Sequence, residues 1–268
     1  MTLHFLTIHH HASRWIKPQV LHIHSYCSNF KIWSIFSEID ITKYKPLFFF
    51  LQEGKGNEQH HSEQDTNYAS QHHWQSLNEL TKIVCKDSSV KDEDIIIWID
   101  SDTLILKQIN NYLTDKLNEY DFCSIQRPEN GGDLIPHPSF AFCRVGFARN
   151  YNITWEGYLK GNPPVDQKFE GIYDTGGKLY SFLTEEKIKW FKLKRTNSLT
   201  HDPVLFSIYD EAVYHHGAGS RKGYANRSYT KFQAENDQLF FDTHNYMSHF
   251  IFQKIQNGYL LNYLNNTK

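Results

Sequence analysis

The run Ile95-Ile96-Ile97-Trp98-Ile99, closed by Asp100-Ser101-Asp102, constrains the fold of this chain more than any other stretch. Consecutive apolar residues, mostly β-branched, leave no polar face, which is the pattern of a strand covered on both sides in a parallel sheet. The run stops at two carboxylates one residue apart, and a second apolar run, Leu104-Ile105-Leu106, follows Thr103. Ligands of open α/β sheets bind outside the carboxyl ends of the strands, so Asp100 and Asp102 fall where chemistry is expected. Two carboxylates so placed raise each other's pKa unless a cation stands between them. A hard divalent ion that keeps part of its coordination for phosphate oxygens meets that need, and a metal–diphosphate site is the expectation. The alternative is a strand that merely ends in turn-forming residues, since Asp and Ser favour turns.

Composition narrows the partners. The 268 residues, 40% hydrophobic and 15% aromatic, suffice for one large α/β core. Lys and Arg number 28 against 30 Asp and Glu, a net charge of −2, so there is no basic field to hold a nucleic-acid backbone by counterion release. Cys27, Cys85, Cys123 and Cys143 show no Cys-x-x-Cys spacing, which argues for buried thiols in a reducing compartment rather than a disulfide framework or zinc knuckle. Met1 to Ile8 lacks the basic start and long apolar stretch of a signal peptide, and no segment reaches the roughly 18 apolar residues of a membrane span. A cytoplasmic protein without a transmembrane segment is the expectation.

Strand and helix signals alternate through the first half. Leu3 to Ile8 reads as a first strand ending in His9-His10-His11, and Arg14 to Phe36 as a helix with Pro18 near its start. Pro46 to Leu51 reads as a second buried strand, followed by a polar loop from about residue 57 to 73. His72 to Cys85 and Lys107 to Glu119 carry apolar residues at helical spacing, and Tyr120 to Ile125 is the next strand. This alternation predicts a mostly parallel sheet covered on both sides. In the second half, Ser139 to Cys143, Ile188 to Lys194 and Val204 to Tyr209 read as strands, and Trp155 to Gln167 as a loop. Lys178 to Leu183 reads as a short helix, and Ala234 to Leu264 as an aromatic-rich helical segment.

Two further stretches could carry chemistry. In Val213-Tyr214-His215-His216-Gly217-Ala218-Gly219-Ser220-Arg221, an imidazole can complete a divalent-metal shell, with Mn²⁺ favoured over Mg²⁺. The glycines there can bring backbone N–H groups to an anion, and Arg221 and Lys222 add charge suited to a diphosphate leaving group. A glycine-rich turn beside a buried histidine is the plainer interpretation. Asp174, before Gly176-Gly177, is either a helix N-cap or a general base for an acceptor hydroxyl, a role Asp166 could also fill. Arg127 and His137, in the loop after the fifth strand, could contact acceptor or phosphate.

The strand ending in Asp100-Ser101-Asp102, with His216 in a later His-Gly-x-Gly stretch, resembles the signature of metal-dependent glycosyltransferases of the GT-A type. That resemblance covers about residues 3 to 221 and implies a single catalytic domain: a three-layer α/β/α sandwich of the nucleotide-diphospho-sugar transferase kind. It places a nucleotide-sugar half at about 1–125, an acceptor half at about 126–235 and a C-terminal helical segment at about 234–264. It implies Mn²⁺ or Mg²⁺ bridging a nucleoside-diphosphate sugar to Asp100, Asp102 and His216, with the donor's base near Thr7, His9 and Glu53. Asp100 would ligate the metal through water or hold the ribose. Asp174 and Arg221 would be the catalytic pair, acting on a glycan, lipid-linked or other hydroxyl acceptor. Two alternatives stand beside it: a nucleotidyltransferase, for which His9-His10-His11-Ala12-Ser13-Arg14 replaces the expected glycine-rich basic loop, and a non-catalytic metal- or carbohydrate-binding module.

Overall fold

The computed structural model describes residues 1–10, 13–54, 66–128, 133–158, 174–197, 205–217, 250–255 and 257. The strands are β1 (Leu3–His10), β2 (Phe30–Ser37), β3 (Phe50–Glu53), β4 (Ile95–Ile99), β5 (Thr103–Ile105), β6 (Phe122–Ile125), β7 (His137–Arg144), β8 (Trp190–Leu193), β9 (Leu205–Tyr209) and β10 (Val213–Gly217). Seven of them form one sheet in the order β3-β2-β1-β4-β7-β6-β8, and β5-β10-β9 form a second, three-stranded sheet. In the large sheet only β7 runs antiparallel to its neighbours, β4 and β6. Strands from the first and second halves of the chain therefore share one sheet.

Among the described residues five helices cover it: α1 (Ser13–Tyr26), α2 (Thr66–Lys86), α3 (Asn110–Glu119), α4 (Val145–Tyr151) and α5 (Gly177–Glu185). Alternation along the strands sends Ile95, Ile97 and Ile99 of β4, with Leu3 and Phe5 of β1, against Val20 and Ile23 of α1 and Leu113 of α3. Ile96 and Trp98, with Leu6 and Ile8, meet Leu77, Leu80 and Val84 of α2, Ala148 of α4 and Leu179 and Leu183 of α5. The result is the expected α/β/α sandwich with a mostly parallel central sheet. Residues Ile95 to Ile99 are at most 1% exposed, which is why their sequence has no polar face. Cutting Ile97 back to Ala would cost about 2–5 kcal/mol.

Four expectations for the elements are corrected. The polar loop expected to run to about residue 73 gives way to α2 at Thr66, ahead of the helix expected from His72. The helix expected over 14–36 stops at Tyr26; Asn29, at φ 50, turns the chain, and Phe30–Ser37 is a strand in parallel register with β1. Its alternating rings and β-branched residues fit a pleated surface better than a helix. The strand expected at 46–51 is a 3₁₀ turn over Lys45–Leu47, where Pro46 sits comfortably, followed by the partly buried edge strand β3. The stretch from Val213 to Gly217, read as a glycine-rich turn or anion nest, is a strand. Of the C-terminal segment expected to be helical, residues 250–255 are helical, with Ile251, Phe252 and Ile255 buried against the second sheet; most of the remainder lies outside the described residues.

Candidate active site

The geometry of the site begins in the parity of β4. Ile95, Ile97 and Ile99 face α1 and Ile96 and Trp98 face α2, so Asp100 continues toward α2, where His73 Nε2 lies 3.4 Å from its Oδ1. The chain then reverses: Thr103 N donates to Asp100 O at 3.0 Å, and Asp100 N donates to Ser139 O of β7 at 3.3 Å. This turn carries the chain out of the large sheet into β5, which pairs antiparallel with β10 so that His215 stands opposite Thr103. A further bond from His216 N to Asp102 O, 3.1 Å, fastens the turn to β10.

The pairing brings His215 Nε2 to 3.4 Å from Asp102 Oδ1 and 3.6 Å from Asp100 Oδ2. One ligand atom from each of Asp100, Asp102 and His215 falls within 4.8 Å of the others. Ligands about 2.0–2.2 Å from an ion stand roughly 3–3.6 Å apart at octahedral to tetrahedral angles, so these separations fit a divalent cation. Two carboxylates and one imidazole are a donor set suited to Mn²⁺ more than Mg²⁺. Burial pushes the Asp100 carboxyl above its ordinary value and Asp102 adds to this; His73, His215 and Arg127 oppose it. A cation between the carboxylates would relieve both causes.

The structure brings His215 to the aspartates, whereas the sequence pointed to His216. Adjacent residues of a strand face opposite ways, and His216 shares its face with Tyr214, whose hydroxyl is hydrogen-bonded to His216 Nδ1 at 2.8 Å. The His216 ring is buried, with centroids 4.8 Å from Trp15 and 5.0 Å from Phe206. Once Val213–Gly217 is known to be a strand, parity separates the two histidines.

The other expected residues are dispersed. Thr7 and His9 lie on the α1 face of β1 and are fully buried, so neither presents surface to a ligand. The His9 ring packs 5.1 Å from Phe36, and Gln19 lies beside it without hydrogen-bond geometry. Burial pulls its pKa down to about 3, with Gln19 and Asp102 pulling weakly the other way, so the ring is neutral. Glu53, in register with Phe36 at the end of the edge strand, is exposed. Asp174 is exposed and is not the N-cap of α5; that position belongs to Gly176, at φ 102, where an added Cβ would stand 2.4 Å from Pro136 O. Asp174 instead accepts from Thr175 N through Oδ1 and from Gly177 N through its carbonyl. Arg221, Lys222 and Asp166 lie outside the described residues.

Two residues had little weight in the sequence. Arg127 is buried, donates from Nη2 to Asp133 Oδ2 at 3.0 Å, and stays charged: burial opposes its charge, but Asp133, Tyr209 and the nearby Asp174 outweigh it. Its charge also opposes the upward shift of the Asp100 carboxyl. His73 sits in the polar half of an amphipathic helix, where nothing local distinguishes it. His137, whose ring lies 5.8 Å from that of His215, bonds Ser139 Oγ through Nδ1 at 2.7 Å.

No protein-family model matches the sequence, and no curated protein sequence is similar to it. Among solved structures the chain is similar to the glycosyltransferase GlyE of Streptococcus pneumoniae TIGR4, at 11% identity and TM-score 0.45 over 71% of this chain and 45% of that one. It is also similar to the mannosyltransferase PcManGT of Pyrobaculum calidifontis, solved with GDP-Man and Mn²⁺, at 11% identity and TM-score 0.42 over 71% of this chain and 54% of that one. A galactosyltransferase, LgtC, solved with donor and acceptor sugar analogues, is similar at 10% identity and TM-score 0.36 over 56% and 60%. The chain thus spans about half the length of the first two. No described helix is long and apolar enough to cross a membrane. These three solved chains are glycosyltransferases.

Proposed function

We propose that the protein is a divalent-metal-dependent glycosyltransferase that moves a sugar from a nucleoside-diphosphate sugar to an acceptor hydroxyl. One observation carries this reading: the meeting of Asp100, Asp102 and His215 at the carboxyl end of β4, with ligand-to-ligand distances of 3.4 and 3.6 Å. A cation held there would supply Lewis-acid stabilisation of charge growing on a diphosphate leaving group. Asp102 and His215 serve as direct ligands, and Asp100, turned partly toward His73, is the third. Asp174 takes the acceptor proton if the reaction inverts at the anomeric carbon; its exposure suits contact with an incoming hydroxyl. Glu53, rather than the buried Thr7 and His9, is the member of the expected base-binding trio that a nucleotide can reach.

The test is a thermal-shift panel of nucleotides and nucleotide sugars, each with Mn²⁺, Mg²⁺ or EDTA. Stabilisation by a nucleoside diphosphate only when metal is present is the expected outcome, followed by sugar transfer or hydrolysis that EDTA abolishes. Activity indifferent to EDTA would remove the reading. A binding module would retain ligand without turnover, and a nucleotidyltransferase would release pyrophosphate from a nucleoside triphosphate.

A further inference from the structure

The turn that presents the two aspartates is held from outside by one side chain that no ligand would touch. Gln19, in the middle of α1, is 1% exposed, and its Nε2 donates to Asp100 O at 2.6 Å and to Thr103 O at 3.2 Å. These carbonyls flank Ser101 and Asp102, so a single amide group spans the whole turn from its buried side. One helical turn later, on the same face of α1, His22 Nδ1 donates to Ile105 O at 2.7 Å. The helix therefore grips the turn and then β5, with Gln19 at the ligands and His22 beyond them.

We infer that Gln19 is a positioning residue for the metal centre: it holds the Asp100–Thr103 turn closed against the mutual repulsion of the two carboxylates. The inference rests on the metal reading proposed above and assigns a residue that the Asp-Ser-Asp motif does not contain. Two like charges this close gain free energy by separating, and the backbone bonds of the turn, from Thr103 N to Asp100 O within it and from His216 N to Asp102 O and Asp100 N to Ser139 O at its sides, leave its Thr103 carbonyl without an anchor from α1. A buried amide that donates to both ends of the turn makes opening cost two hydrogen bonds and leave buried carbonyls unpaired. The cation then meets carboxylates already at its own spacing. Without Gln19, binding must first re-form the turn, and affinity falls by the cost of doing so. Partners of metal ligands that lie outside the coordination shell typically matter by about 10- to 100-fold in affinity.

The experiment measures the dissociation constant of Mn²⁺ by the loss of its free-ion electron paramagnetic resonance signal, on protein without nucleotide. It compares wild type with Gln19→Met, which keeps the side chain's length but has no donors, and Gln19→Glu, which keeps its shape and replaces the donors with an acceptor. His22→Leu is the control for a lost bond from α1 to β5 away from the ligands. Melting temperature is recorded for each. The expected result is Mn²⁺ binding weakened about 10- to 100-fold in both Gln19 variants and within about threefold of wild type in His22→Leu, at comparable melting temperatures. Gln19→Glu remains the readout if Gln19→Met does not fold. Wild-type affinity in a folded Gln19 variant would overturn the inference while leaving the metal reading intact, as would an equal loss in His22→Leu. A wild-type protein that binds no Mn²⁺ would remove both.

Discussion

Strand β4 has an aspartate at each end, and the two are treated in opposite ways. Asp94, just before the strand, is 3% exposed, and its carboxylate accepts from Thr2 N at 2.6 Å and Lys91 N at 3.0 Å. His4 Nε2 lies 3.4 Å from Oδ2, while Trp33 Nε1 donates to His4 Nδ1 at 3.2 Å, which leaves the imidazole proton on Nε2, facing Asp94. Burial alone would raise the Asp94 pKa, but the two backbone N–H groups and His4 outweigh it and hold the carboxyl below its ordinary value. Asp100, five residues of strand further on, has imidazoles at 3.4 and 3.6 Å, a second carboxylate beside it, and no backbone N–H donor to its side chain among the described residues. Its pKa moves up. An aspartate and a histidine can thus make a finished structural joint or an unfinished site, and what separates them is whether the backbone supplies donors or the fold supplies a second acid. The amino end of the strand is sealed; the carboxyl end gathers three candidate ligands for a cation.

Substitution at the carboxyl end of β4 should have the largest effect. Asp102→Asn should lower metal-dependent transfer or hydrolysis by on the order of 10³-fold, measured as release of nucleoside diphosphate from a panel of donors. The metal-free protein should melt no lower than wild type, because one of two repelling charges is gone. A clear loss of stability with activity retained would make Asp102 another structural aspartate. The two histidines sharpen the same point. His215→Ala should weaken Mn²⁺ binding by about 100-fold, whereas His216→Ala should lower the melting temperature and leave Mn²⁺ affinity nearly unchanged. The reverse result would return the ligand role to His216.

At the amino end the signs invert. Asp94→Asn should destabilise by about 2 kcal/mol, roughly 4–8 °C in melting temperature, since the amide cannot accept from all three donors. Mn²⁺ affinity should stay within about twofold. Because the folded-state pKa of Asp94 is depressed, its contribution is complete above the ordinary carboxylate range and is lost as pH falls through the folded value. Wild type should therefore lose more stability than Asp94→Asn on acidification.

These contrasts also mark what the residue string could reveal. β1, β4, α2 and α3 were legible because their patterns are local: an unbroken apolar run or a helical stripe identifies itself. β2 was not, since Ile32, Ile35 and Phe36 sit at spacings that also suit a helix, and only Cys27-Ser28-Asn29 interrupts the pattern. The sheet of β5, β10 and β9 joins segments more than a hundred residues apart, and short strands of mixed polarity announce no partner. Asp100 and Asp102 were visible because a strand end exposes them to inference. His73 and Gln19 were not, because a polar residue on an amphipathic helix looks alike whether it faces solvent or a carboxylate. Arg127 stood in what reads as a surface turn, yet its side chain is buried and paired with Asp133.

The smallest effect concerns the two histidines of β1, one near each end of the strand. His4 and His9 are both pulled toward the neutral form by burial, but His4 has Asp94 to oppose the shift, whereas the His9 ring nitrogens have no hydrogen-bond partner among the described residues. A histidine whose folded pKa is about 3 binds its proton more readily in the unfolded chain, where the value is near 6.5. Stability is then complete above about pH 6.5 and falls as pH drops toward 3, with a loss of about 1.4 kcal/mol already at pH 5.5. His9→Leu removes the group and should flatten that part of the profile relative to wild type, whatever it does to stability at pH 7.5. Chemical denaturation at pH 7.5, 6.5 and 5.5 measures the difference. If His9→Leu loses as much as wild type over that range, the ring is paired in solution, and the carboxyl end of β1 is as well sealed as its amino end.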